Sequence, residues 1–165
     1  MTAAISKSFP CQADVETAFA AMSGPGWAER KAEVLRDGSK VVRHEQRADG
    51  GVLLAVSREL PDGVPGYLER FLPADGRVVH TDDWGPSQPD GSRRGTWRVD
   101  LPGAPAKVGG EMRFEPAGSG STYVIDGAAK VSVPLIGGKA EKFLIELIGK
   151  LMVKEAEVLR GMLPA

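Results

Sequence analysis

From Lys139 to Leu163 the chain repeats apolar side chains at helical spacing, and a helix with so apolar a face is not stable alone in water. At about 100° per residue, Ala140, Phe143, Leu144, Leu147, Ile148 and Leu151 share one broad stripe. Val158, Leu159 and Met162 continue it. Lys142, Glu146, Lys150 and Glu157 fall opposite, with Lys142–Glu146 and Glu146–Lys150 as favourable pairs one turn apart. Gly149 reads as a member of that outer face. Before the helix, Tyr123 to Val133 alternates as a strand does, and Pro134 to Gly138 interrupts. The rest of the chain offers mainly strands. The helix therefore has to lie across a sheet, an arrangement with room for a ligand between the two.

The preceding elements follow from the same patterns. Ala3 to Phe9 reads as a strand that Pro10 stops, and Ala13 to Met22 as a short helix with Asp14 near its start. Ser23-Gly-Pro-Gly26 breaks the chain, and Pro25 opens a second short helix through about Ala32 with Trp27 packed inward. Strands are expected over Lys40–Arg47, Val52–Leu60, Arg77–Trp84, Arg93–Leu101, Lys107–Glu115 and Ser121–Val133. Ala48-Asp-Gly-Gly51 supplies the first hairpin turn. Tyr67 to Leu72 reads as one or two helical turns. The order is β-α-α, six strands, then the long helix: an α+β meander of about seven strands, expected to form a single domain over residues 1–165.

Bulk properties narrow the function. A net charge of −1 provides no field for nucleic acid or an anionic membrane, and 6% aromatic residues leave little for base stacking. No apolar run reaches the roughly 20 residues of a membrane span, so stable membrane insertion is not expected. The start of the chain lacks the features of a signal peptide. The single cysteine, Cys11, excludes an intramolecular disulfide and suits a reducing compartment, which reads as cytoplasmic. Nothing in the sequence speaks to oligomeric state.

Phe9 with the Ala13–Met22 helix, Trp27, the Val64-Pro-Gly-Tyr-Leu-Glu-Arg-Phe-Leu72 segment, Trp84 and the Val131–Glu141 junction carry a likeness over essentially the whole chain. In these residues and in its order of elements, the chain resembles the helix-grip proteins of the START-like (SRPBCC) superfamily. That group includes polyketide cyclases, aromatases and plant pollen-allergen proteins, together with a bacterial domain family of unknown function that the chain also resembles. The resemblance implies a curved antiparallel sheet wrapped around the long C-terminal helix, with a cavity for apolar or amphipathic molecules between them. Candidate ligand-binding residues on the strands are His44, Leu54, Val56, Arg58, His80 and Trp84, followed by Trp97, Met112, Phe114, Tyr123 and Ile125. Phe143, Leu147, Leu151 and Glu155 would contribute from the helix, and Phe71 from the short segment between strands.

Glu155 is the exception in the apolar stripe, between Leu151 and Leu159. It is either a structural partner for an arginine on the sheet or a polar group at the cavity wall, there as an anchor or as an acid/base with a raised pKa. Arg58 continues the Leu54–Val56 phase and is the arginine to test as that partner. His80 and Asp82 share a strand face, so the pair has the geometry to orient a base, although a half-exposed histidine is the plainer account. His44 and His80 lack the companions of a metal site. Trp84 and Trp97 are core residues or a stacking surface for a flat ligand. The Tyr67–Leu72 segment is a plug or a lid. Gly137-Gly138-Lys139 lacks phosphate-loop spacing, no Gly-x-Ser-x-Gly elbow is present, and Cys11 has no base beside it. Arg93-Arg94 reads as a solvated hairpin tip. No cofactor or metal is called for, and no residue is singled out as catalytic. The reading is a carrier or sensor of a small apolar or amphipathic molecule such as a lipid, isoprenoid or polyketide. The alternatives are a cyclase-, aromatase- or hydratase-type enzyme and a module binding a partner's segment.

Overall fold

A computed structural model describes residues 2–164. β1 (Ala3–Cys11) leads into α1 (Val15–Ser23) and α2 (Pro25–Leu35), then β2 (Lys40–Gln46) and β3 (Val52–Glu59). A short 3₁₀ helix, Gly66–Phe71, precedes β4 (Arg77–Ser87), β5 (Arg93–Asp100), β6 (Ala106–Ala117) and β7 (Gly120–Val131), and α3 (Gly137–Met162) closes the chain. The strands form one antiparallel sheet in the order β1-β7-β6-β5-β4-β3-β2. This is the α+β helix-grip arrangement: β2 to β7 run as a meander, β1 returns to pair with β7, and α3 packs chiefly on β7 and β1.

Local chemistry explains the boundaries. The Asp14 carboxylate accepts the Thr17 N–H at 2.8 Å and caps α1, while Pro25 opens α2, where its missing N–H is no loss. Pro10 does not stop β1, which continues to Cys11. β1 is an edge strand, so a residue without an N–H can stand there without breaking a ladder. The register shifts between Val41 and Arg43 on β2 and between Trp84 and Ser87 on β4 help the sheet curve. Gly110 allows a close approach within the sheet, since a side chain there would collide with the Asp126 carbonyl.

The core lies between the concave face and the three α-helices. Trp84, wholly buried, stacks on Phe114 at 5.3 Å and meets Phe19 of α1 edge-on at 5.7 Å; Phe114 then contacts Tyr123 at 4.9 Å. A satellite cluster at the start of α3 holds Leu68 of the 3₁₀ helix, Val131 and Ala140, with Phe71 and Phe143 packed against it. α3 buries a face rotated from the stripe expected of it. Ile148, Gly149, Met152, Ala156 and Leu159 point inward, while Leu144, Leu147 and Leu151 form a half-buried flank. Gly149 is thus an inward position, not an outer one. A Cβ there would lie 2.7 Å from Ile5 Cδ1, so glycine lets the helix approach β1 closely. Arg93 is likewise no solvated tip: its guanidinium is buried, bonds Glu16 at 2.8 and 2.9 Å, and lies 4.0 Å from the Phe19 ring centre. It pins α1 to the end of the sheet. No helix among the described residues is long and apolar enough to cross a membrane.

Candidate functional site

Under the middle of α3 a gap of about 20 Å³ remains. Strand alternation brings Arg58 of β3, His80 of β4 and Trp97 of β5 to it from the sheet, and Leu151 and Glu155 face it from the helix. The apolar part of its wall is Val99, Ile125, Ile148 and Met152. Three polar side chains therefore converge within a greasy interior.

Each is held differently. His80 Nε2 lies 2.9 Å from Asp82 Oδ1, and the two residues share a strand face as expected. An ionised carboxylate only accepts, so in the neutral ring the proton sits on Nε2 and Nδ1 is left as an acceptor. Nδ1 is buried and has no partner. The imidazole stacks on Trp97, with centroids 5.4 Å apart and planes 6° apart, and the indole N–H donates to the Asp126 carbonyl at 2.9 Å. Gly127 makes that seat possible, because a Cβ there would come within 2.8 Å of the indole.

Glu155 accepts from Lys31 Nζ of α2 at 3.4 Å. Burial pushes the Glu155 carboxyl up, but the charge of Lys31, joined by those of Arg58 and, when its ring is protonated, His80, outweighs it and holds the group below its ordinary value. A raised pKa for Glu155 is therefore corrected, and so is a direct Arg58–Glu155 contact. The helix carboxylate pairs with a helix lysine, and the arginine contributes only at a distance. Arg58 itself is 7% exposed, its Nε has no partner, and among the described residues it enters no ion pair. Close by, Tyr123 is fully enclosed, and burial together with Asp82 and Glu155 raises its hydroxyl well above its ordinary value.

The other candidates sit elsewhere. Leu54, Val56, Trp84, Met112, Phe114 and Tyr123 are packed into the core and do not border the gap. Phe71 and Phe143 belong to the satellite cluster, and Leu147 to the half-buried flank of α3. His44 faces a separate cleft under the α1–α2 turn, beside Phe19 and Pro25. The register shift after Val41 carries it there on the edge strand. His44 Nε2 and Trp84 Nε1 also lack partners, but neither reaches the gap. Lys31 is the residue that sequence reading missed. It is 1% exposed and one turn beyond Trp27, whose ring centre lies 5.4 Å from Nζ. A lysine spaced four residues from an inward tryptophan was the available sign.

A wider concavity of about 670 Å³ lies towards one end of β5, β6 and β7; it meets the gap at Val99 but holds none of its three polar groups. Its charged members, Arg98, Asp100, Lys107 and Lys130, are half or fully exposed side chains. The gap under α3 is the better candidate, because buried polar groups without partners meet there.

Comparison with known proteins places the fold. The aromatase/cyclase Zhui from a Streptomyces species superimposes with a TM-score of 0.64 at 10% identity, covering 98% of this chain and 93% of that one. Truncated norcoclaurine synthase from Thalictrum flavum gives 0.59 at 16% identity, over 97% and 92% of the two chains. The di-domain aromatase/cyclase StfQ of the steffimycin biosynthetic pathway gives 0.66 at 15% identity, over 98% of this chain and 50% of that one. At such identities the likeness is one of fold. No curated protein matches the sequence. A family match spans residues 6–163, and the chain belongs to that family, DUF2505, described as a protein of unknown function.

Proposed function

We propose that residues 1–165 act as one helix-grip domain that binds a small apolar or amphipathic molecule between the sheet and α3, as a carrier or sensor. The observation that supports this is the meeting of Arg58, His80 and Glu155 at a single gap in an otherwise apolar interior. Apolar walls supply affinity, and the few polar groups supply orientation. The gap is small as it stands, so a ligand must enlarge it. Leu151 and Met152 can move aside, and Leu151 and Glu155 are half-buried, which puts the mouth along that flank of α3. The neighbours lend support: one is an aromatase/cyclase, and norcoclaurine synthase was solved with dopamine and hydroxybenzaldehyde. The unpaired Cys11 suits a reducing compartment, which favours a cytoplasmic site of action.

A thermal-shift series with lipids, isoprenoids and aromatic polyketides tests the proposal. At a hundredfold excess over Kd a true ligand adds about 2.7 kcal/mol, a rise of roughly 5–10 °C for a domain of this size. A flat response to every class counts against it.

One observation favours an enzyme as the second reading. His80 is oriented by Asp82 and presents an unpartnered Nδ1, the arrangement a general base requires. Turnover of a bound compound that is lost in His80→Gln would establish it. Recovery of every bound compound unchanged would leave the carrier reading.

A further inference from the structure

Resting on the binding function proposed above, we propose that the ligand's polar group is a carboxylate, carried on an apolar stem and paired with Arg58. Two cations, Lys31 and Arg58, stand at this junction of α2, α3 and the sheet. The nearby carboxylates are already engaged, Glu155 by Lys31 at 3.4 Å and Asp82 by His80 at 2.9 Å. Arg58 is left with 7% exposure, an Nε donor that has no acceptor, and no ion pair among the described residues. A donor held out of water without an acceptor is costly to keep, and here it belongs to a charged group.

A gap of about 20 Å³ has space for one water, which would satisfy the donor but bring no charge. A carboxylate supplies both, and its two oxygens match the planar guanidinium fork. The acid also accounts for His80. As the carboxylate binds, Nδ1, otherwise a bare acceptor, takes up one proton from solvent and donates it in a hydrogen bond to the second oxygen, so the ligand stays an anion. The stem then runs between Ile125, Ile148 and Met152. An ammonium head group would be repelled by Arg58, and the one carboxylate lining the gap, Glu155, is already paired with Lys31.

The test is calorimetric titration of the whole protein with decanoate, decanol and decylamine, which share one stem. Decanoate should bind about ten to a hundred times more tightly than decanol, the usual worth of a charged hydrogen bond, with decylamine weakest. In Arg58→Met the preference should vanish while the unliganded protein melts a few degrees higher, because an unpaired charge has been removed. Arg58→Lys, which keeps the charge without the fork, should retain part of the preference. Equal binding of decanol and decanoate, or a preference that survives Arg58→Met, overturns the carboxylate assignment and leaves binding itself standing. If none of the three binds, both the assignment and the reading beneath it fall.

Discussion

Breaking the Lys31–Glu155 pair strands one charge in the interior, so Glu155→Gln should destabilise the protein by about 3 kcal/mol. Because the Glu155 carboxyl is held below its ordinary value of 4.5, its contribution is complete above that pH and fades as the pH falls through the lowered value. Urea melts at pH 7 and pH 4 check this: the wild type should lose stability between them, and Glu155→Gln should lose less. An equal loss in both would remove the pair from the account. Cys11 belongs to the same scale. Burial pushes its thiol up, and it is 6% exposed, so it should react slowly with iodoacetamide until urea unfolds the chain. Rapid alkylation of the native protein would contradict that placement.

Among the elements, β7 carries a requirement that no propensity reveals. Gly127 gives up side-chain packing so that Trp97 can lie flat beneath His80. Gly127→Ala should cost about 1–3 kcal/mol by overpacking, and the near-ultraviolet circular dichroism of Trp97 should change with it. An unaltered spectrum and melting temperature would contradict this. Strand and helix positions were legible in the sequence because the alternation along β7 and the 3.6-residue period of α3 are strong local signals. Orientation was harder to read. The apolar stripe of α3 is broader than the face it buries, so Gly149 reads as an outer position although it packs inward, and Leu147 as an inner one although it stands on the half-buried flank. The 3₁₀ helix Gly66–Phe71 is fastened mainly by Leu68. If it gates the interior, its amides should exchange faster than those of β3 to β7 and slow when ligand binds. Protection equal to that of the strands would make it a fixed plug.

At the scale of the whole molecule, the fold was readable because the order of elements is specific and short turns fix the strand pairings, those of β1 with β7 and of β3 with β4 excepted. The site was readable only in part. Alternation told which side chains face inward, and so brought Arg58, His80, Trp97 and Ile125 to the concave face. It does not tell how far along that face two residues lie, which is why Trp84, Phe114 and Tyr123 turned out to be core and not wall. Nor does it bring α2 into view, and with it Lys31. The resulting interior is nearly full, an apolar core with one polar flaw that a ligand would complete. Native mass spectrometry of the protein purified from its own host tests that claim most directly. The account predicts a co-purified small molecule, apolar over most of its length, that is absent after extraction and lowers the melting temperature on removal. A protein that emerges empty, and melts at the same temperature before and after extraction, would contradict it.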